Sequence, residues 1–339
     1  MCALLHDNAL TQYISEELKK DSVIDLKKDL SEEKTNLHCI YGEKNITKLP
    51  FKTDVSNVIL YHHEHADGTG PFQKKWNEIP LFARIIHLAD IIDIIRNSID
   101  SDDNSWDFMC QYLSKNKDSL FDSECVNAFL HVFTKESFMC LSDDSFETKL
   151  WEAIPREKLV FDWKMCKDVA DFFAKIVDYK SSFTSRHSIG VAEKASMLAQ
   201  YMGYDSIAVQ KMYLAGALHD IGKMAVGNEI LEKPDKLTDD EFSKMKNHAG
   251  YTYLILSEVN DFEEIRDWAA FHHEKLNGKG YPFGKTAAEL NEPERMMADI
   301  RQKVESVEGV NSATINLVFE PEWDKDMMSE EAKLELGFL

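Results

Sequence analysis

His219 and Asp220 stand side by side at the end of an apolar run, His248 follows, and His272 and His273 are again adjacent, with His187 upstream. Imidazole and carboxylate together suit Mn, Fe, Zn or similar metals. An aspartate can bridge two ions while a histidine completes one of them. One His-Asp dipeptide carries little information, since most are surface accidents. Five histidines and an aspartate at helix ends, four of those histidines and the aspartate recurring elsewhere in the chain, carry much more.

The elements that must position these residues are helices. KDVADFFAKIVDY, HSIGVAEKASMLAQYM and SIAVQKMYLAGALHD all carry apolar residues at three- and four-residue spacing. Gly203 follows the second as a C-cap. Thr238 to Glu241 forms a capping-box pattern that opens the helix carrying His248. Few strand signals precede residue 310, so the body is expected to be mostly α.

The pattern occurs twice. His38 to His62 is 62 − 38 = 24 residues, and His248 to His272 is 272 − 248 = 24. Gly68 and Gly70 fall at the same offsets from their His-His pair as Gly278 and Gly280. ALLHDNA (Ala3 to Ala9) echoes GALHDIG (Gly216 to Gly222), and Arg84 falls on Arg295 once a missing tyrosine is allowed for. Two related units result, roughly 1–100 and 165–295. The stretch 101–164 reads as short helices and loops closing the first, with Pro155 at the boundary.

Composition restricts the function classes. In 339 residues acids outnumber bases 60 to 39, a net charge of −21. Phosphate-backbone contact needs clustered Lys and Arg, so DNA, RNA and an anionic membrane surface are not expected partners. A small phosphate ligand at a metal site stays compatible, because local charge decides there. The six cysteines form no C-x-x-C pair and read as reduced, mostly buried thiols of a cytoplasmic protein. No uncharged apolar run of about 18 residues occurs, and MCALLHDNAL lacks the basic segment of a signal peptide.

His219-Asp220-Ile221-Gly222-Lys223, then His248, then His272-His273-Glu274 and Gly280-Tyr281-Pro282 resemble the HD-GYP family, a branch of the HD superfamily of metal-dependent phosphohydrolases. The resemblance covers about 165–295. It implies a helical bundle holding metal ions, commonly Fe or Mn with Zn, Ni, Co or Mg as alternatives, and hydrolysis of cyclic dinucleotides, typically cyclic di-GMP. By position, His187, His219, Asp220, His248, His272 and His273 would be the metal ligands, and Asp220 with Lys223 the catalytic pair. Lys223 would also contact the substrate phosphate, and Gly278, Gly280, Tyr281 and Pro282 would line its pocket. The chemistry is consistent: two metals lower the pKa of a water and neutralise phosphate oxygens, and a lysine one turn after His219 is a point charge for a phosphate. Gly278 and Gly280 allow positive φ and close approach of backbone to ligand. Tyr281 could stack on a guanine, hydrogen-bond a phosphate, or simply pack in the turn.

Two departures bear on the metals. Asn277 stands where the family usually has Asp, and Asn keeps the turn chemistry. Phe183 stands where some members place a Glu ligand, so two ions are expected rather than three. A third departure is at the junction: the family carries an Arg and, six residues on, an Asp that completes the metal shell. Arg84 to Asp90 is 90 − 84 = 6, but Arg295 to Asp299 is 299 − 295 = 4. At about 100° per residue the two spacings differ by about 200° on a helix, so weakened hydrolysis is expected.

The first unit keeps His6-Asp7, His38, His62-His63, Glu64, Asp67 and Asp90, but Asn8-Ala9-Leu10 replaces Ile-Gly-Lys and the tyrosine is gone. It begins five residues before His6, leaving no helix for a counterpart of His187. It reads either as a decayed copy kept for packing or regulation, or as a second metal site. From about residue 297 to 339 the chain resembles the C-terminal half of SufT/PaaD-like iron–sulfur assembly factors, with NSATINLVFEP as a strand. The first half of that fold is absent and no cysteine follows Cys166, so no iron–sulfur role carries over.

The expected architecture is mostly α: two HD-type helical bundles in tandem and a small α+β C-terminal tail. Residues 1–155 would form a degenerate, N-terminally truncated HD-GYP-like domain, 156–295 the HD-GYP domain and 296–339 the SufT/PaaD-like fragment. The expected function is a cytoplasmic phosphodiesterase of cyclic dinucleotides with two transition-metal ions in the second unit, and a regulatory protein or a second copy as partner. The alternatives are a catalytically silent cyclic-dinucleotide-binding scaffold and an HD phosphohydrolase of another nucleotide.

Overall fold

A computed structural model of the chain describes residues 1–12, 36–98, 105–142, 160–180, 187–233 and 235–294, with isolated positions between 148 and 154. Among the described residues helices dominate and no sheet forms, the β pairings being the bridges Lys117–Phe121 and Asn277–Thr286. The expected strand in the tail, the whole of 297–339, Arg295, Asp299, Phe183 and Pro155 lie outside the described residues. The chain divides into two compact units, Met1–Arg186 and His187–Leu339. No helix among the described residues is long and apolar enough to cross a membrane.

The first unit contains α1 (Leu37–Ile46), α2 (Leu81–Ser98), α3 (Ser105–Lys115), α4 (Ser123–Val132), α5 (Lys135–Met139) and α6 (Trp163–Lys180). Leu88 and Ile92 of α2 meet Met109 and Leu113 of α3, Cys125 and Val126 of α4 and Phe138 of α5 in its larger core. Asp122 caps α4 by accepting from Glu124 N (2.7 Å), and its other oxygen pairs with the Arg84 guanidinium. Helix α6 contains KDVADFFAKIVDY, read from the sequence as opening the second unit. Here Phe172 is buried with Ile46 and Ile59, and Lys175 Nζ donates to Asn45 Oδ1 at 2.6 Å. The helical period fixes which face of α6 is apolar, but not which apolar surface covers it.

The second unit contains α7 (His187–Tyr201), α8 (Ser206–Leu218), a 3-10 turn (Ile221–Ala225), α9 (Asn228–Leu231), α10 (Asp239–Ser257) and α11 (Glu263–Ala270). Every residue from Met212 to Leu218 is buried, which makes α8 a central helix, apolar all round its last two turns. Helix α7 meets it with small residues, Ser188, Ala192, Ala195 and Ala199. A Cβ on Gly216 would lie 2.7 Å from Ala192 Cα, so only glycine permits this approach. The expected stops and starts are present. Gly203 takes φ +84°, with Tyr204 N donating to Ala199 O at 3.1 Å. Thr238 Oγ1 accepts from Glu241 N (3.3 Å) while Glu241 Oε2 accepts from Thr238 N (2.7 Å). The cysteines are free but less buried than expected: Cys39 and Cys125 are buried, Cys140 is exposed and the others are intermediate.

Candidate metal centre

Helix α8 delivers His219 at its C-terminus, and Asp220 begins the 3-10 turn that follows. That turn is pressed onto α10. Thr252, fully buried, accepts from Gly222 N (3.0 Å) and donates to His219 O (3.0 Å). A Cβ at Gly222 would lie 1.9 Å from His248 O, so the position tolerates no side chain. These contacts bring His248 on α10 beside Asp220. His272 and His273 follow the end of α11.

The histidines share one device. His219 Nδ1 lies 2.8 Å from Gly216 O, His248 Nδ1 2.6 Å from Met245 O, and His272 Nδ1 2.6 Å from Ala269 O. A carbonyl can only accept, so each Nδ1 must carry the proton; in the neutral rings of His248 and His272 that leaves Nε2 with a lone pair. The three Nε2 atoms converge on one carboxylate. His219 Nε2 is 3.1 Å from Asp220 Oδ2, and His248 and His272 Nε2 are 3.5 and 3.9 Å from Asp220 Oδ1. His248 and His272 Nε2 face each other at 3.4 Å. Two neutral imidazoles with opposed lone pairs repel unless a cation sits between them. The donors fall into two groups, His187, His219 and Asp220, and His248, His272 and His273, whose chemistry fits transition-metal ions.

Electrostatics agree. Burial lowers His248 and His272, and lowers His273 to about 3 with the neighbouring His248 adding to it. All three are thus neutral, as metal ligation requires. Burial opposes the charge on Asp220, but His219 and Lys223 overcome it and hold the carboxyl well below its ordinary value. Burial likewise opposes protonation of His219, and Asp220 outweighs it and raises the group.

The remaining expected site residues gather here with altered emphasis. Lys223 is buried, and its Nζ donates to Asp220 Oδ2 at 2.7 Å, so in this state it neutralises that carboxylate. Tyr281 stacks on His273 with ring centroids 4.6 Å apart. Gly278 takes φ +71°; Gly280 instead serves close packing, since a Cβ there would lie 2.3 Å from Lys275 N. Pro282 follows a cis bond. Two residues were given no role from the sequence. Glu274 is buried, and its carboxylate accepts from Phe283 N (2.7 Å), Gly284 N (3.1 Å) and Lys285 N (2.8 Å), which ties down the Gly-Tyr-Pro turn. Thr252 clamps the His-Asp turn as described. The signals in the sequence were the place of Glu274 in the quoted motif and the recurrence of the acid, Glu64 in the first unit, which accepts from Phe72 N and Lys74 N.

The first unit repeats much of this. His6 and His62 hold their Nδ1 against Ala3 O (2.7 Å) and Ile59 O (2.6 Å). Asp7 Oδ1 lies 3.3 Å from His38 Nε2 and 3.6 Å from His62 Nε2, and His6 Nε2 lies 3.7 Å from Asp90 Oδ1.

The HD domain family model matches residues 10–125 and 171–303. 3'3'-cGAMP-specific phosphodiesterase 1 of Vibrio cholerae is 28% identical over 314 residues, 87% of this chain and 69% of that protein. 3'3'-cGAMP-specific phosphodiesterase 3 of the same organism is 31% identical over 266 residues, 78% of this chain and 57% of its own length. Cyclic di-GMP phosphodiesterase PA4108 of Pseudomonas aeruginosa is 38% identical over 117 residues, 34% of this chain and 28% of that protein. The crystal structure of a cyclic GMP-AMP-specific phosphodiesterase of Vibrio cholerae superposes with a TM-score of 0.56 at 24% identity, over 81% of this chain and 74% of that one. That likeness establishes the fold.

Proposed function

The chain belongs to the HD domain family, and from that premise we propose that it is a metal-dependent phosphodiesterase of cyclic dinucleotides whose chemistry resides in the second unit. The observation that carries the reading is the convergence of three imidazole Nε2 atoms on Asp220. Two transition-metal ions, Fe or Mn, would be held by His187, His219, His248, His272 and His273 with Asp220 between them. When bound they supply Lewis-acid charge for the phosphate oxygens and a water of lowered pKa. Lys223, whose ammonium donates to Asp220 Oδ2, would supply a point charge for a phosphate oxygen of the substrate. Tyr281, stacked on His273, offers its outer face to a base, and Glu274 keeps the turn bearing Gly278, Gly280 and Pro282 in place for it.

We take 3'3'-cGAMP as the substrate, because two relatives that match more than three quarters of the chain carry that name. Cyclic di-GMP is the second reading, favoured by relatives that match about a third of it. The test is metal analysis of anaerobically purified protein combined with turnover of both dinucleotides. The expected result is two ions bound through the second unit and release of a linear product. Metal-replete protein that binds either dinucleotide without cleaving it would replace the enzyme with the silent scaffold.

A further inference from the structure

The first unit carries one ligand-type residue that the second unit lacks at the matching position. The residue after His38 is Cys39, whereas the residue after His248 is Ala249. Cys39 is fully buried, and its Sγ lies 3.3 Å from His38 Nε2. The thiol, His38, His62 and His63 each bring one ligand atom into a group whose members all lie within 4.8 Å of one another. The strongest mark of a ligand is at His62. The residue is fully buried, its Nδ1 is committed to Ile59 O at 2.6 Å, and its Nε2 makes no hydrogen bond. A bare, buried imidazole lone pair is costly unless something accepts it.

We propose that the first unit holds one thiophilic transition-metal ion, zinc in the first place, through His38, Cys39, His62 and His63. Three imidazoles and a thiolate offer four nitrogen and sulfur donors, the number and the ligand types with which zinc forms a closed tetrahedral shell. Softness separates this site from the second unit, whose donors are all nitrogen or oxygen. One ion is bound rather than two because His62 also belongs to the neighbouring group of His6 and Asp7, and a single Nε2 serves a single ion. In the second unit the two groups share no histidine. On binding, Cys39 gives its proton to solvent and a metal–sulfur bond forms, with no change of oxidation state. The ion joins α1 to the segment carrying His62 and His63. Leu10 stands where the second unit has Lys223, so the site lacks a phosphate-holding cation at that place, and its role is structural.

The full chain, stripped and reloaded with cobalt(II), provides the test. Thiolate-to-cobalt charge transfer absorbs in the near ultraviolet, and only a cysteine ligand produces it, so the ions of the second unit are silent in this readout. The expected result is the band at one cobalt per chain, its retention in Asp220→Ala, and its loss in Cys39→Ala with first-unit affinity lowered about tenfold or more. Cobalt-loaded native chain without the band would overturn the proposal, even if Cys39→Ala failed to fold. Persistence of the band in a folded Cys39→Ala chain would also overturn it. Hydrolysis and the two ions bridged by Asp220 are measured separately, so either assignment can fail without the other.

Discussion

Replacing Thr252 by Val keeps the shape of the side chain and removes its hydroxyl. That hydroxyl is fully buried and makes two 3.0 Å hydrogen bonds, from Gly222 N and to His219 O. Both partners are backbone groups of the turn that positions Asp220, and valine offers them nothing. A buried polar group left unsatisfied costs about 1–3 kcal/mol, so the pair costs about 2–6 kcal/mol. Thr252→Ser keeps both bonds and loses one methyl, about 1 kcal/mol. The two variants therefore separate hydrogen bonding from packing. The assay is chemical denaturation of the chelator-treated chain, with metal content measured in parallel. Thr252→Val should lower the midpoint of the affected transition well beyond Thr252→Ser. It should also weaken metal binding about tenfold, because His248 rides on the same helix and lies 3.5 Å from Asp220 Oδ1. If serine is as damaging as valine, or valine is as stable as the native residue, the clamp is not what holds the turn on α10.

Asp220→Ala should remove both ions of the second unit together, read as metal per chain, since one carboxylate faces both ligand groups; unchanged metal content would refute a bridging role. Glu274→Gln removes the charge that three backbone N–H groups share, and charge-assisted bonds contribute about 1.5–3 kcal/mol each. It should raise KM for the dinucleotide about tenfold while the second unit keeps its two ions, and a loss of those ions instead would place Glu274 in the ligand shell. Glu241 titrates low, from its ordinary 4.5 to about 2, through its hydrogen bond with Lys233 and then the N–H of Thr238. A depressed acid stabilises the fold above its unfolded value and loses that contribution as pH falls from 4.5 to about 2. The α10 cap should therefore weaken across that window, visible as a low carboxyl titration by NMR and abolished by Glu241→Gln; a Glu241 that titrates normally would show the capping box to be open in solution.

The sequence alone determined the chemistry available and the local elements. Apolar spacing marked α6, α7 and α8, Gly203 marked the end of α7, the Thr238–Glu241 pair marked the start of α10, and the repeated His spacings marked both units. These features depend on a few consecutive residues, so they can be read from a string. Tertiary packing decided what the string leaves open. It placed the KDVADFFAKIVDY helix on Ile46 and Ile59, because an amphipathic face specifies that it must be covered and not by what. It turned Lys223 onto Asp220, made Glu274 the anchor of the glycine turn, and set Thr252 between two backbone groups. It also brought Cys39 against three histidines in the first unit. Each of these depends on distances between segments far apart in sequence. Close packing fixes those distances, through contacts such as Gly216 on Ala192 and Gly222 on His248.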